Sequence, residues 1–458
     1  MRTLAGAARV REHLRKLQQR WEPDAGGVRF DTFGSPQSAT EIAREIIRRV
    51  RGGGDRAVCE VARRTDGGDI TPDALLVTKK EFARARREVT PEMEKALRLM
   101  ERRIAAYAEA CMPRLESWLP RGQGGKGRRL GIRFTPLERV GAYVPGGSGA
   151  ATPLISTALM NVVPARVAGV RELAVATPCG PGGRLHPALL RALELAGVQQ
   201  VYRAGGAQGI AALALGTERL PRCHKIVGPG NVFVQAAKRE LYGEVDIDMM
   251  AGPSEIAVLA DESACAAHLA ADLLAQAEHD ALAAALLFTP SRRLAASVES
   301  EVARQLETLP RRETARRSLE SYGAILLCRD LAEGVRWVNE FAPEHLELAV
   351  AQPRGLLQQV RHAGAIFLGH HTPEVVGDYV AGPSHTLPTA GAARFAGGIS
   401  VYTFLKTSSL IEYSRAALEE DLAPIVAVAG AEGLEAHARS ASLRCARVTR
   451  QKRGRSNG

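Results

Sequence analysis

The stretch ADLLAQAEHDALAAALLFTP (271–290) is largely Ala and Leu, yet Gln276, Glu278, His279 and Asp280 sit together inside it. On a helix, Gln276 and His279 are three residues apart and share one face. Imidazole is a common metal ligand, and an amide oxygen is an uncommon neutral one. The competing reading is a solvated helix end, where the dipole favours His279. Two ligands do not make a metal site, so on this stretch alone the solvated end outweighs it.

Further candidates lie downstream. NEFAPEHLEL (339–348) sets Glu344 beside His345, after a proline and ahead of a strand. Adjacent ionisable groups there form an acid–base pair if both face a cleft. Otherwise Glu344 is exposed and His345 packs on the sheet. GDYVAGPSHTLPT (377–389) puts Asp378 and His385 on a polar loop bounded by Gly and Pro, a composition typical of binding loops. GLEAHARS (433–440) offers His437 on a helix with Glu432 one and a half turns earlier, and alone reads as a surface helix. His370 and His371 follow GAIFLG in a turn and read as exposed.

Two Gly-rich turns follow strands, GAYVPGGSGA (141–150) and GPGN (228–231). Such turns bring backbone N–H groups close to phosphate. Neither is the GxGxxG fingerprint, no GxxxxGK[ST] loop exists, and a plain tight turn explains each as well.

The elements that must position these residues follow an α/β pattern. EIAREIIRRVRGG (41–53) and TPEMEKALRLMERRIAAYAEA (90–110) have helical periodicity, the second with Thr90 as N-cap and Pro91 in its first turn. From about residue 138, β-rich runs (RVGAYVP, ELAVATP, QQVYRAG, HKIVG) alternate with Ala/Leu-rich helical ones. A second block repeats the pattern with EIAVLAD, AALLFTP, GAILLCR, HLELAV and GAIFLG. Strand, turn, helix, strand predicts a parallel sheet with crossover helices, here twice, with a cleft between. After about 400, helices and the apolar run APIVAVA predict a separate C-terminal unit.

A chain of 458 residues with 45 glycines can build one to three domains with many tight turns. No apolar run reaches the ~18–20 residues that cross a bilayer. The N-terminus MRTLAGAARVREHLRKLQQRW lacks a secretory core and reads as a short amphipathic surface helix, so a cytosolic protein is expected. Net charge is +11, but Lys and Arg are interleaved with acids except in the tail RCARVTRQKRGRSNG (444–458). Zinc-finger spacing and RNA-recognition signatures are missing, which argues against a nucleic-acid partner. Cys59, Cys111, Cys179, Cys223, Cys265, Cys328 and Cys445 form no CxxC pair and suit reduced thiols.

Taken together, the segments resemble the histidinol dehydrogenase family from about residue 40 to 445. ERVGAYVPGG, LMNVVPARVAGV, GGAQGIAALALGTE, KIVGPGN, AGPSEIAVLAD, LLAQAEHD, FAPEHLEL, GDYVAGPSHTLPT and EGLEAHARS stand in the family's order. The resemblance implies two incomplete Rossmann-like domains with small terminal domains, in a domain-exchanged homodimer. Its division would be an N-terminal helical segment 1–38, a first α/β domain 39–140 with 256–399, and a second, NAD-side domain 141–255. A dimer-exchanged domain 400–447 and a disordered basic tail 448–458 would complete the chain.

The same resemblance implies one zinc ion per site, held by Gln276, His279, Asp378 and His437, the last from the partner subunit. The chemistry implied is two oxidations of L-histidinol at one carbon, each passing hydride to NAD. His345 would be the base of the first step, and Glu344 would activate water for the second. The metal ligands and His345 would contact substrate together with Ser254, His385 and Glu432. Tyr143, Gln208 and Asn231 would contact NAD. Two departures stand out: Leu154-Ile155-Ser156 where many members have Tyr-Pro-Ser, and Ser384 in GPSH where others have Asn. The rival readings are a related zinc- and NAD-dependent dehydrogenase of another polar alcohol, a zinc hydrolase using Glu344, and a nucleic-acid binder.

Overall fold

The apolar runs bounded by Gly and Pro form two separate parallel sheets. The computed structural model describes residues 1–19, 29–66, 69–120, 122–146 and 154–446. Residues 147–150 of the first Gly-rich turn, 20–28 of the N-terminal segment and the tail 448–458 lie outside the described residues.

The chain opens with β1 (Arg2–Ala5) and α1 (Ala7–Gln19), then an antiparallel hairpin of β2 (Phe30–Asp31) and β3 (Pro36–Gln37). The helices α2 (Ala39–Thr65), α3 (Lys79–Glu88) and α4 (Pro91–Ala110) follow. Ser38 and Thr78 start α2 and α3 with capping boxes to Glu41 and Glu81, and Thr90 caps α4 ahead of Pro91. Each cap contributes about 1 kcal/mol. The helix expected to stop near residue 53 instead continues through a kink at Gly54, whose φ of 50° suits a residue without Cβ.

After β4 (Glu116–Trp118) and β5 (Arg128–Pro136) comes the first α/β run. It consists of β6 (Arg139–Tyr143), α5 (Ile155–Ala168), β7 (Glu172–Thr177), α6 (Pro187–Leu195) and β8 (Gln200–Arg203), then α7 (Gly206–Leu215), β9 (Lys225–Val227), α8 (Val232–Leu241) and β10 (Asp246–Ile247). Its sheet has five parallel strands in the order β10-β9-β6-β7-β8.

The second run is β11 (Glu255–Ala260), α9 (Ala266–Ala277), β12 (Ala284–Thr289), α10 (Arg292–Leu306), α11 (Arg312–Ser321) and β13 (Ala324–Leu327). It continues with α12 (Leu331–Phe341), β14 (His345–Ala349), α13 (Pro353–Leu357), β15 (Ala365–Leu368) and α14 (Val375–Tyr379). These strands and β1 make a six-stranded parallel sheet in the order β1-β13-β12-β11-β14-β15. The chain closes with β16 (Leu405–Tyr413), α15 (Arg415–Ala431) and α16 (Glu435–Cys445).

The two-sheet α/β fold is as the sequence predicts, but two segments pack differently. The N-terminal segment is not a surface helix: β1 extends the six-stranded sheet, and α1 buries Val10, Leu14 and Leu17 against it. Their spacing places all three on one helix face. α2 packs with α7 and α8 over the five-stranded sheet, rather than with the other block. Ile42, Ile46, Val50 and Val58 supply the apolar stripe that this sheet face covers.

The contacts divide the chain into two compact units, Met1–Met112 with Leu137–Phe404 and Pro113–Pro136 with Leu405–Gly458. The first holds both parallel sheets. The second is a three-stranded antiparallel sheet, β16-β5-β4, with α15 packed on α16. Arg128 ties its sheet to α15 through Asp421 at 2.8 Å and Glu420 at 3.0 Å. The helical C-terminal unit expected from residue 400 is therefore partly β, and it recruits a hairpin from far upstream. Among the described residues, no helix is long and apolar enough to cross a membrane.

Candidate active site

The amino ends of β11, β12, β14 and β15 lie side by side, since Glu255 pairs with Ala284, Ile256 with His345, and His345 with Ala365. In a right-handed crossover the C-terminus of α9 returns to this same edge. The loop sequences thus converge on one sheet edge.

The chain enters β14 through a tight reversal. α12 ends at Ala342 in the left-handed conformation (φ 53°), a strained backbone for a residue with a Cβ. Pro343 and Glu344 then lead straight into the strand. Gly364 opens β15 so close that a Cβ there would sit 2.6 Å from the Glu344 carbonyl oxygen. Glu344 and His345 are consequently both buried, at 6% and 5% exposure, so Glu344 is not the exposed group of the alternative reading.

Glu344 Oε2 accepts the Glu255 backbone N–H at 2.9 Å. Burial drives this carboxyl group well above the usual carboxylate range, and the nearby Glu255, Asp378 and Glu374 charges add to the effect. His345 Nδ1 lies 3.0 Å from the Glu255 carbonyl oxygen. A carbonyl only accepts, so Nδ1 carries the ring proton and Nε2 keeps a lone pair. Burial pulls the imidazole down to about 4, which leaves it neutral near pH 7. Its Nε2 is 3.5 Å from Glu374 Oε1.

Asp378, on α14, anchors the other side. Its Oδ1 lies 3.3 Å from His385 Nδ1, and its Oδ2 lies 4.0 Å from His279 Nε2. Burial opposes its ionisation, but the His385 hydrogen bond and the surrounding His385, His345 and His279 rings hold it below the ordinary aspartate value. His385 Nδ1 also donates to the Asp378 carbonyl at 3.1 Å, and its Nε2 lies 3.1 Å from Thr157 Oγ1 on α5. The loop bearing His385 is thereby docked on a helix of the five-stranded sheet. Thr386 strengthens that contact by donating to Asn161 Oδ1 at 2.8 Å.

Gln276 occupies the last turn of α9, where it is buried while both its amide atoms lack a hydrogen-bond partner. A buried unsatisfied amide is costly unless something binds it. His279 is not on the helix: α9 ends at Ala277, and the His279 N–H bonds back to the Gln276 carbonyl at 3.2 Å. The turn still leaves the His279 side chain near Asp378. His345, Glu374 and Asp378 present potential ligand atoms within 4.8 Å of one another, a His/Glu/Asp group able to hold a metal ion. Ser254 immediately precedes β11, with its carbonyl accepting the Ala284 N–H at 3.0 Å.

Three acids here were not singled out in the sequence. Glu374 lies four residues before Asp378, Asp272 lies four before Gln276, and Glu347 lies two after His345. Burial pushes Glu374 up to about 8 with help from Asp378, and Asp272 up to about 6. Glu347 is driven well above its usual range by burial and the Asp272 charge. The sequence signal was present, since a glutamate inside the apolar strand HLELAV has no solvent to face.

Tyr143, Gln208 and Asn231 occupy the carboxyl edge of the five-stranded sheet, the edge where parallel sheets bind ligands. The Tyr143 hydroxyl accepts the Gly206 N–H at 2.8 Å, and Gln208 Nε2 donates to Thr65 and Asp66, each at 3.1 Å. Asn231 Oδ1 caps α8 by accepting two N–H groups. Gly228 (φ 116°) lies against the Tyr143 carbonyl where any Cβ would collide, which joins the GPGN turn to the end of β6.

Glu432 and His437 belong to the second unit and are not on one helix. Glu432 is the C-cap of α15, Gly433 (φ 70°) reverses the chain, and His437 stands in the first turn of α16. His371 is exposed as expected, but His370 is half-buried with Nε2 3.0 Å from Ser263 Oγ.

Comparison with known proteins identifies the family of the chain. The family model for histidinol dehydrogenase matches residues 33–445. A histidinol dehydrogenase of Synechococcus sp. is 48% identical over 436 residues, covering 95% of this chain and 98% of the relative. One from Moorella thermoacetica is 52% identical over 401 residues, 88% of this chain and 93% of its own. A crystal structure of the Elizabethkingia anophelis enzyme superposes with a TM-score of 0.89 at 30% identity, covering 97% of this chain and 98% of that one. The chain belongs to the histidinol dehydrogenase family, the oxidoreductases of the final step of histidine biosynthesis.

Proposed function

We propose that this chain oxidises L-histidinol to L-histidine through a bound aldehyde, with NAD and one zinc ion per site. When bound, NAD accepts the hydride of each oxidation, and zinc holds the substrate through its imidazole and amino nitrogens. Gln276, His279 and Asp378 are the ligands from one chain, and His437 is the ligand from a second copy. An amide, two imidazoles and one carboxylate leave the ion a net positive charge suited to nitrogen ligands. The unsatisfied Gln276 amide supports this assignment.

The observation that carries the reading is a buried neutral His345 directly beside a buried Glu344. His345 takes the alcohol proton at Nε2, the nitrogen that the Glu255 carbonyl leaves unprotonated. Glu344 takes a proton from the water that adds to the aldehyde carbon, and the raised basicity of a buried carboxylate suits that step. Adjacent bases serve both half-reactions while the reactive aldehyde stays bound in one pocket. Ser254, His385 and Glu432 contact the substrate; Tyr143, Gln208 and Asn231 contact NAD.

A homodimer is part of the proposal. The second unit exposes large apolar side chains, among them Ile411 at 71%, Val428 at 58% and Leu443 at 66%, which a second copy would cover. Incubation of the zinc-loaded protein with L-histidinol and NAD tests the reading, with NADH formation expected. NADH from another polar alcohol and none from L-histidinol would overturn it.

A further inference from the structure

We propose that Glu347 is a positioning residue whose carboxyl group ties together the three elements that carry the metal-binding and catalytic side chains. The inference rests on the metal site proposed above and extends it to a group that touches no ligand.

Glu347 belongs to β14, two residues beyond His345, and therefore points to the same sheet face. One of its oxygens, Oε1, accepts the Glu374 backbone N–H at 2.7 Å. Glu374 immediately precedes α14, the short helix that carries Asp378. The carboxyl group also shares a hydrogen bond with the side chain of Asp272. Asp272 lies on α9 one turn before Gln276 and on the same face. One side chain thus joins the strand of His345, the helix of Gln276 and the helix of Asp378.

Two carboxyl groups can share a hydrogen bond only when one of them keeps its proton. Glu347 is the more deeply placed at 4% exposure, so it is the donor and Asp272 the acceptor. The cost of burying this pair has no return in apolar packing, since Leu at either position would bury more cheaply. Its return is geometric: one carboxyl group links β14 to the start of α14 and to α9. Outer groups that orient metal ligands are worth about 10–100-fold in metal affinity.

The test uses full-length protein stripped with a chelator and titrated with Co2+ alone, read by its visible absorption bands. Glu347→Gln retains an acceptor for the Glu374 N–H and a donor for Asp272, so affinity and bands should match those of the unmodified protein. Glu347→Leu should bind Co2+ about 10–100-fold more weakly, with shifted bands. Asp272→Leu cuts one tie at a half-buried position and should weaken binding about 10-fold. If Asp378→Ala abolishes Co2+ binding while the Glu347→Leu and Asp272→Leu proteins bind like the unmodified one, the positioning role is overturned. If Asp378→Ala also binds normally, the metal site itself is wrong and the positioning role falls with it.

Discussion

His345 Nδ1 and the Glu255 carbonyl oxygen are 3.0 Å apart across neighbouring strands, which fixes the ring proton on Nδ1 and leaves Nε2 as the basic atom. Glu255 also donates its N–H to Glu344 Oε2 at 2.9 Å. One residue of β11 therefore holds both candidate bases by its backbone, and no side-chain change at 255 can replace that contact.

The division of labour between the two bases predicts unequal damage. His345→Gln should slow oxidation of the alcohol by about 10²–10⁴-fold, the usual value of a general base. Glu344→Gln should slow the aldehyde-to-acid half more than the first. Single-turnover kinetics with L-histidinol and with L-histidinaldehyde measure each half directly. A Glu344→Gln protein impaired mainly in the first oxidation would reverse the assignment.

The buried imidazole also has a signature in acid. In metal-free protein the His345 ring should titrate near 4, below its ordinary 6.5, because burial disfavours the cation. A depressed folded value means the unfolded chain takes the proton first. His345 therefore contributes stability that is full above about 6.5 and is lost as pH falls through about 4. Ring-proton NMR, assigned with His345→Gln, reads the midpoint, and denaturation across this range should be less acid-sensitive in the variant. A midpoint near 6.5 would contradict the burial argument.

On the side proposed to bind NAD, Lys238 is fully buried, with Nζ bonded to Asp248 and lying 3.0 Å from the Gly228 carbonyl oxygen. Asp248 Oδ2 accepts the Gly228 N–H at 2.7 Å, so this ion pair grips both sides of the turn that leads to Asn231. Lys238→Met would strand the Asp248 charge and should cost about 3–5 kcal/mol in urea denaturation. NAD affinity, read by fluorescence titration, should fall with it. Stability within 1 kcal/mol of the original would show that the pair does not hold the turn.

A shared site predicts complementation between copies. His437→Asn and Gln276→Ala proteins should each bind zinc weakly and be nearly inactive alone. Mixed dimers assembled from the two should regain part of the activity, because one of their two sites has intact ligands from both chains. Activity that does not rise on mixing, with heterodimers verified by mass, would place every ligand within one chain.

Much of the fold was legible because its strands are short apolar runs between Gly and Pro, as HLELAV and GAIFLG illustrate. β1 escaped notice because four residues beginning with Arg2 carry no pattern of their own and gain strand character only from β13. The pairing of β16 with β5 was hidden for a related reason. LKTSSLIEY is mostly exposed and its partner lies far upstream. Within the site, the polar cluster around His279 stood out, but its meaning came from matching motifs along the chain and not from local spacing. Glu374 and Asp272 stayed invisible because an acid reveals its burial only once its tertiary neighbours are known, whereas Glu347 was signalled by its place in an apolar strand. The cap role of Asn231 was within reach, since a side-chain acceptor ahead of VFVQAAK is a helix-start signal.

The stoichiometry of the complete reaction tests the central claim most directly. With limiting L-histidinol and excess NAD, zinc-loaded protein should yield two NADH per alcohol consumed, and L-histidine as the product. One NADH per alcohol, with aldehyde released into solution, would contradict an account in which Glu344 and His345 carry both oxidations in a single pocket.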